Sequence, residues 1–466
     1  MQSQLPPELL ENILFYLRTS SDLSSLRTCA AVNHFFCSLA EPHLYHHLEL
    51  TNVTRDPEKH TYVYCDFNSE QILKLLTDRP HIATYVRSLT IRIGTGRGVN
   101  SPRTSLGDES IGPVLQLLKN LETILLFALG RTFWKKLSSK FRSAFASALA
   151  LPTMRNLDIR AVEEFPLEVI GASTSLEKLS LLGSFSLGAQ GPLNPAHRRA
   201  VLKSLTLQYC TASLPRINAW SNSQAGHEIS QLTHFRATVW READYEQLPS
   251  ILSACAGSLK VLELDPGIEV NLRNVASAPD SGLQPEARPL FSSATFSLRT
   301  TLSTLKHLQL HLAVEAYQGT IMNASRQLVS SWFTPFEWVG QLLEELRPPR
   351  TRHPIASSSP SNLIPSTPSL ALEQLTLNIS FRVDPNSTIF CEASWAPLAT
   401  SLSSFSEAVP SLRRVLICAT GGENHPLFDR DENGRKKIVE TLERDVALAP
   451  LVAKGLLKVT SVDDEE

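Results

Sequence analysis

The segment Leu176-Glu177-Lys178-Leu179-Ser180-Leu181 places apolar residues at its first, fourth and sixth positions, and this spacing recurs along most of the chain. Copies begin at Val86 (with Leu89 and Ile91), Leu121 (Ile124, Leu126), Met154 (Leu157, Ile159) and Leu202 (Leu205, Leu207). Later copies begin at Leu259 (Leu262, Leu264), Leu305 (Leu308, Leu310), Leu372 (Leu375, Leu377) and Leu412 (Val415, Ile417). Leu232 with Phe235 reads as a degenerate member, and Leu456 with Val459 as a last partial one. One such phrase says little, since many strands contain it. Repetition at intervals of 35, 33, 22, 26, 30 and 27 residues up to Leu259, then 46, 67 and 40, says more. The alternation at the end of each phrase has the period of a β-strand, with every second side chain turned to one face.

A strand followed by a return segment, repeated at this length, predicts a leucine-rich-repeat solenoid. Leu248, Ile251, Leu252 and Cys255 give one return segment a helical apolar face. Leu328, Val329, Trp332 and Phe333 are expected to start another, and Asp429 to Leu442 reads as a late helix. Residues 265–304 and 311–371 hold more chain than a return segment needs. Within them, residues 347–369 are rich in Pro, Ser and Thr and predict a disordered insertion. Its Ser359-Pro360 and Thr367-Pro368 pairs offer phosphate acceptors, although a plain tether is the simpler reading.

The repeats are preceded by a different pattern. Pro6 and Pro7 suit a helix start, and Glu8 favours its first turn. Leu9, Ile13 and Leu17, with Leu10 and Leu14 beside them, predict one broad apolar face on a helix of about ten residues. Asp22 is positioned to cap a second helix lined by Leu23, Leu26 and Ala30. Asn33 is positioned to cap a third, carrying Phe35, Phe36 and Leu39, which Pro42 is expected to stop. The strings LPPELLENILFYL and LSSLRTCAAVNHFFCSLAEPHLYHHLEL resemble an F-box. They are similar to those at the N-termini of fungal F-box proteins with leucine-rich repeats, through Leu5, Pro6, Glu8, Leu9, Ile13 and Leu17, then Leu26, Val32, Asn33, Phe35, Leu39 and Ala40. Phe35-Phe36 departs from the family, which more often has a basic residue beside an aromatic one.

The bulk numbers agree with a globular chain. Of 466 residues, 42% are hydrophobic and 19% charged, and 44 basic against 46 acidic residues leave a net charge of −2. That balance offers no general footprint for nucleic acid or an anionic membrane. Seven cysteines contain no CxxC pair and read as free thiols in a reducing compartment. The first residues lack a secretory signal pattern, so an intracellular place, cytoplasm or nucleus, is expected. No GxGxxG, P-loop, HExxH or GxSxG phrase appears, so no enzyme and no cofactor are expected. Gly94-Thr95-Gly96-Arg97-Gly98 reads as a turn. His43, His46 and His47 lack ligand-spaced companions, and His307 and His311 read as surface residues, so no metal is expected.

The expected fold is α/β: a three-helix F-box at 1–50, a linker and first solenoid helix at 51–85, and an irregular leucine-rich-repeat horseshoe with long insertions at 86–462. The resemblance implies docking of a Skp-type adaptor, and through it a cullin, by Leu5, Pro6, Leu9, Leu10, Ile13, Leu26 and Val32. The residues alone do not separate contact from core. The outward positions of the strand phrases form the expected target-binding row: Leu125 and Phe127, Asp158 and Arg160, Lys178, Gln208, Glu263, His307, Gln309 and Gln374. The expected function is substrate recognition for an SCF-type cullin–RING ubiquitin ligase. The alternative is a scaffold acting outside a complete ligase.

Overall fold

The computed structural model describes residues 6–51, 53–55, 62–64, 68–94, 110–183, 199–209, 213–223, 226–239, 242–266, 303–317, 331–333, 336–347, 370–382, 395–421 and 432–461. The chain forms two compact units: Met1–Leu202 with Thr206–Glu228, and Lys203–Leu205 with Ile229–Glu466. Most of the expected insertion at 347–369, with its Ser359 and Thr367 sites, lies outside the described residues.

The first unit opens with helices α1 (Pro7–Thr19), α2 (Leu23–Val32) and α3 (His34–Leu44). There follow strand β1 (His47–Thr51), a small antiparallel pair β2 (Val53–Arg55) and β3 (Tyr62–Tyr64), and helices α4 (Ser69–Asp78) and α5 (Pro80–Tyr85). Next come β4 (Ser88–Gly94), α6 (Ile111–Leu117), β5 (Thr123–Phe133), α7 (Ser139–Leu149), β6 (Asn156–Glu163), α8 (Leu167–Gly171) and β7 (Lys178–Leu182). Strand β8 (Ser204–Gln208) and helix α9 (Ser213–Asn222) complete this part of the sequence. Strands β1, β4, β5, β6 and β7 lie side by side, each parallel to the last.

The second unit continues the pattern. It contains β9 (His234–Val239), α10 (Glu242–Ala254), β10 (Val261–Pro266), β11 (His307–Tyr317), β12 (Ser331–Phe333) and α11 (Phe336–Leu346). It ends with β13 (Gln374–Arg382), α12 (Ala396–Ala408), β14 (Arg414–Gly421), α13 (Glu432–Glu443), α14 (Ala449–Ala453) and β15 (Leu457–Ser461). Strands β9, β10, β11, β13, β14 and β15 are parallel neighbours in chain order, and β12 folds back antiparallel on β11. Both units are therefore α/β repeats with sequential parallel strands, the arrangement of a solenoid.

The phrases pair in register. Leu48 pairs with Leu89, Leu89 with Ile124, Ile124 with Leu157 and Leu157 with Leu179. In the second unit Phe235 pairs with Leu262, Leu262 with Leu308, Leu308 with Leu375, Leu375 with Val415 and Val415 with Leu457. A one-residue slip would turn every one of these side chains to the wrong face, so the apolar phrase fixes the register. Each buried Leu adds roughly 1.5–3 kcal/mol of burial free energy before entropy is counted.

A polar device accompanies the apolar one. The carbonyl at the second phrase position accepts two amides from the next repeat. Arg87 O receives Glu122 N and Thr123 N, Glu122 O receives Arg155 N and Asn156 N, and Lys306 O receives Glu373 N and Gln374 N. In several repeats the residue before the phrase donates a side-chain hydrogen bond to the preceding repeat: Thr153 Oγ1 to Leu121 O, Ser258 Oγ to Leu232 O, Thr304 Oγ1 to Leu259 O, and Ser411 Oγ to Leu370 O. These groups satisfy turns that packing would otherwise leave orphaned.

The structure corrects several expectations. The sheet starts at His47, inside the segment assigned to the helical module, because Leu48 and Leu50 form an unrecognised first strand in register with Leu89 and Ile91. Leu232 with Phe235 is no degenerate remnant: Phe235 and Ala237 take the leucine places of a full strand. Pro42 sits inside α3 rather than ending it, since two further residues complete the last turn. Helix α1 has 13 residues, and Asn33 and Asp22 do cap their helices. Trp332 and Phe333 belong to strand β12, not to a helix, and the helix begins at Phe336. The face of Leu248, Ile251, Leu252 and Cys255 is fully buried on α10 and the turn after it.

Candidate functional site

The N-terminal helices form a small core of their own. Asp22 accepts a hydrogen bond from Ser25 N at 3.0 Å, and Asn33 accepts one from Phe36 N at 3.0 Å. Hydrogen bonds from Ser25 hold the Asp22 carboxyl below its ordinary range. Leu14, Leu26 and Ala40 are buried, with Leu17, Cys29, Ala30, Leu39 and Leu44 packed against them.

The broad face expected on α1 divides in two. Leu14 is buried, with Leu10 and Leu17 partly so, whereas Leu9 and Ile13 are 49% and 48% exposed and Tyr16 lies exposed beside them. Val32 at the end of α2 is 63% exposed, and Leu23 and Phe35 are also exposed. The structure thus separates roles that the sequence left merged. Leu26 has no exposed surface, so its side chain builds the core and is not presented for contact. Pro6 is exposed, Leu10 intermediate, and Leu5 lies outside the described residues. Phe15 and Tyr16 add apolar surface that the opening phrase did not single out. Phe15 carries the Arg18 guanidinium 4.8 Å above its ring.

This module is joined to the sheet without an intervening tether. Helix α3 packs on α5, where Glu41 lies 3.4 Å from His81. His46 O accepts both Arg87 N and Ser88 N, and His47 Nδ1 lies 2.9 Å from Ser88 Oγ. Burial lowers the proton affinity of His43, His46 and His47, with nearby arginines adding to the effect. Among the described residues no group of His, Cys, Asp and Glu could hold a metal ion. No described helix is long and apolar enough to cross a membrane. Cys29, Cys37, Cys255 and Cys418 are free thiols, and burial pushes Cys255 up to about 12.

The other candidate surface is the sheet face turned away from the buried leucines. In the first unit Leu125 and Phe127 are half-buried, Asp158 is intermediate and Arg160 exposed. Arg160 holds one oxygen of Asp158 through Nε at 3.1 Å and Nη2 at 2.7 Å. Arg92, which the sequence reading overlooked, pairs with Glu49 at 3.0 Å. Lys178 is exposed, whereas Gln208 is buried and does not present a free contact.

In the second unit the same face is self-satisfied. Glu263 is only 8% exposed. His234 Nε2 lies 3.0 Å from its carboxylate, Arg236 Nε 3.3 Å and His311 Nε2 3.1 Å. Burial alone would raise the Glu263 carboxyl, but the bonds to His234 and His311 and the Arg236 charge overcome it. They leave it well below the usual carboxylate range. Gln309 and Asn378 also approach His311, and Gln374 donates to Thr376 Oγ1 at 3.0 Å. Glu263 is therefore a structural hub rather than a contact open to a target. His307 is exposed and Gln309 and Gln374 are intermediate. His234 and Arg236 were missed because their strand carries Phe and Ala where leucines were sought.

The F-box-like family matches residues 2–51. That segment contains α1 to α3 and ends with β1. Among curated proteins, none matches the chain. An F-box is a non-catalytic adaptor module.

Proposed function

We propose that this protein is a substrate-recognition adaptor of an SCF-type cullin–RING ubiquitin ligase. The N-terminal module docks a Skp-type subunit, and the repeats, read as leucine-rich repeats, hold a target protein. One observation carries this reading. Leu9, Ile13 and Val32 are about half or more exposed on a module whose own core is completed by other residues. Exposed apolar side chains on helices that already share a core suit burial in a partner's groove. Further support comes from the F-box-like match at the same residues and from the resemblance of the sequence to fungal F-box proteins with leucine-rich repeats.

The adaptor would act by proximity. Holding a target on a surface that continues directly from the docking module raises the target's effective concentration near a charged conjugating enzyme. No chemistry is required of the chain itself. The reading places the protein in the cytoplasm or nucleus, where such ligases work.

The test uses tagged full-length protein and a Pro6→Ala/Leu9→Ala/Ile13→Ala version purified from cells. Co-purification of the Skp-type subunit and cullin with the first and not the second supports the reading. Their absence from both overturns it. Ubiquitination of a bound target only when the module is intact separates a ligase adaptor from a scaffold.

A further inference from the structure

The strand register of the first unit sets Arg92, Phe127, Arg160 and Leu182 side by side on β4, β5, β6 and β7. The row two residues earlier is Thr90, Leu125, Asp158 and Ser180. Adjacent strands lie about 4.8 Å apart, so Phe127 has an arginine one strand away on either side. Leu125, Phe127 and Leu182 are each only partly buried, on the face opposite the buried Ile124, Leu126, Leu157 and Leu181.

Both arginines are held from within the sheet. Arg92 Nε lies 3.0 Å from Glu49 Oε1, and Arg160 places two nitrogens on Asp158 Oδ2. The arginine side chains nonetheless remain 40% and 46% exposed. The Arg160 guanidinium, fixed by two hydrogen bonds, gives up little further freedom on binding an anion, and the planar fork of an arginine matches a carboxylate. The same face of the second unit contrasts with this, because its acidic centre Glu263 is enclosed by His234, Arg236 and His311.

We propose that this row is the target-contact surface, and that its occupant is a protein segment with a bulky apolar side chain flanked by carboxylates. The inference rests on the adaptor reading above and gives its target a chemistry. The apolar side chain covers Phe127 with Leu125 and Leu182, and the carboxylates meet Arg92 and Arg160. The carboxylates of Glu49 and Asp158 are already engaged by those arginines. A basic segment would have to share a carboxylate with the arginine that already holds it, and would do so against two guanidinium charges.

The probe is a random dodecapeptide library displayed on phage and selected on full-length protein, with synthetic copies of enriched peptides measured by fluorescence anisotropy. The expected winners carry a large apolar residue beside Asp or Glu. Phe127→Ser and Arg160→Gln should each weaken them about tenfold or more, the loss typical of a central contact. Arg160→Glu should turn selection toward Lys-containing peptides. Unchanged circular dichroism and unchanged binding of the Skp-type subunit control for folding. Basic or wholly polar winners, winners indifferent to the substitutions, or no winners at all would overturn the proposal. Those results with Skp binding intact leave the adaptor reading standing, whereas loss of Skp binding by the unaltered chain would strike that reading separately.

Discussion

Replacing Glu263 by Gln should loosen the sheet of the second unit. Glu263 is 8% exposed, and its carboxylate lies 3.0, 3.3 and 3.1 Å from His234, Arg236 and His311. Glutamine keeps the shape, but it has one acceptor oxygen and turns an amide group toward side chains that also donate. Removing one member of a buried charged set costs about 3–5 kcal/mol, and a hydrogen bond to a charged group contributes about 1.5–3 kcal/mol. The partners are 22–34% exposed, so water recovers part of that loss. The expected net cost is about 2 kcal/mol, roughly a thirtyfold fall in protection against amide exchange at tenfold per 1.4 kcal/mol. Hydrogen exchange followed by mass spectrometry should show the loss in β9, β10 and β11, and not in β4 to β6. The effect also has a pH window. Because the folded carboxyl titrates below its ordinary 4.5, its contribution is complete above that value and disappears as pH falls further below it. Unchanged protection in β9 to β11 at neutral pH would refute the hub assignment and return Glu263 to the pool of target contacts.

Burial and the charge of Arg199 hold His227 down at about 4 from an ordinary 6.5, so the folded state favours its neutral form. Stability from this group is complete above pH 6.5 and falls by about 3 kcal/mol as pH drops to about 4; thermal melts across that range should flatten in His227→Leu. Leu26→Ala should cost about 2–5 kcal/mol and expose the N-terminal module to proteolysis, whereas Ile13→Ser should leave its protease resistance unchanged. Ser258→Ala removes the hydroxyl whose one proton lies between Ser230 O and Leu232 O, each 2.8 Å from Oγ, and should lower stability by about 1 kcal/mol in thermal unfolding. No change in the melt would show that water replaces that bond at no cost.

Much of the repeat was legible because its spacing does two physical jobs at once. An apolar residue at positions one, four and six both fills the core and fixes strand register, so phrases such as Leu259, Leu262 and Leu264 announce themselves. The first strand was hidden because it follows straight on the helical module, and β9 read only as a degenerate copy because Phe235 and Ala237 fill the space of two leucines. The hydroxyl before the phrase, as at Thr153, Ser258, Thr304 and Ser411, was in plain view but acquires meaning only when its carbonyl partner in the preceding repeat is known.

The candidate sites were legible in part. Helix periodicity marked Leu9, Leu10, Ile13, Leu14 and Leu17 as one face, because a single helix cannot reveal which side its neighbours cover. Packing against α3 and α2 turned Leu14 and Leu17 inward and left Leu9 and Ile13 out. Leu26, expected as contact or core, went wholly to the core. On the sheet, alternation separated the buried leucines from the positions between them. It did not show that Gln208 is buried or that Glu263 is enclosed, because those facts depend on which residues the neighbouring strands bring alongside.

The most direct test of the account is the affinity of purified full-length protein for a purified Skp-type subunit, measured by titration calorimetry with and without Leu9→Ser/Ile13→Ser/Val32→Ser. These three side chains are exposed, so the variant should keep its helicity and melting temperature. Losing about 1 kcal/mol or more at each apolar contact should weaken binding by about a hundredfold or more. Equal affinities for the two proteins, or no binding by either, would contradict the assignment of this face as the docking surface.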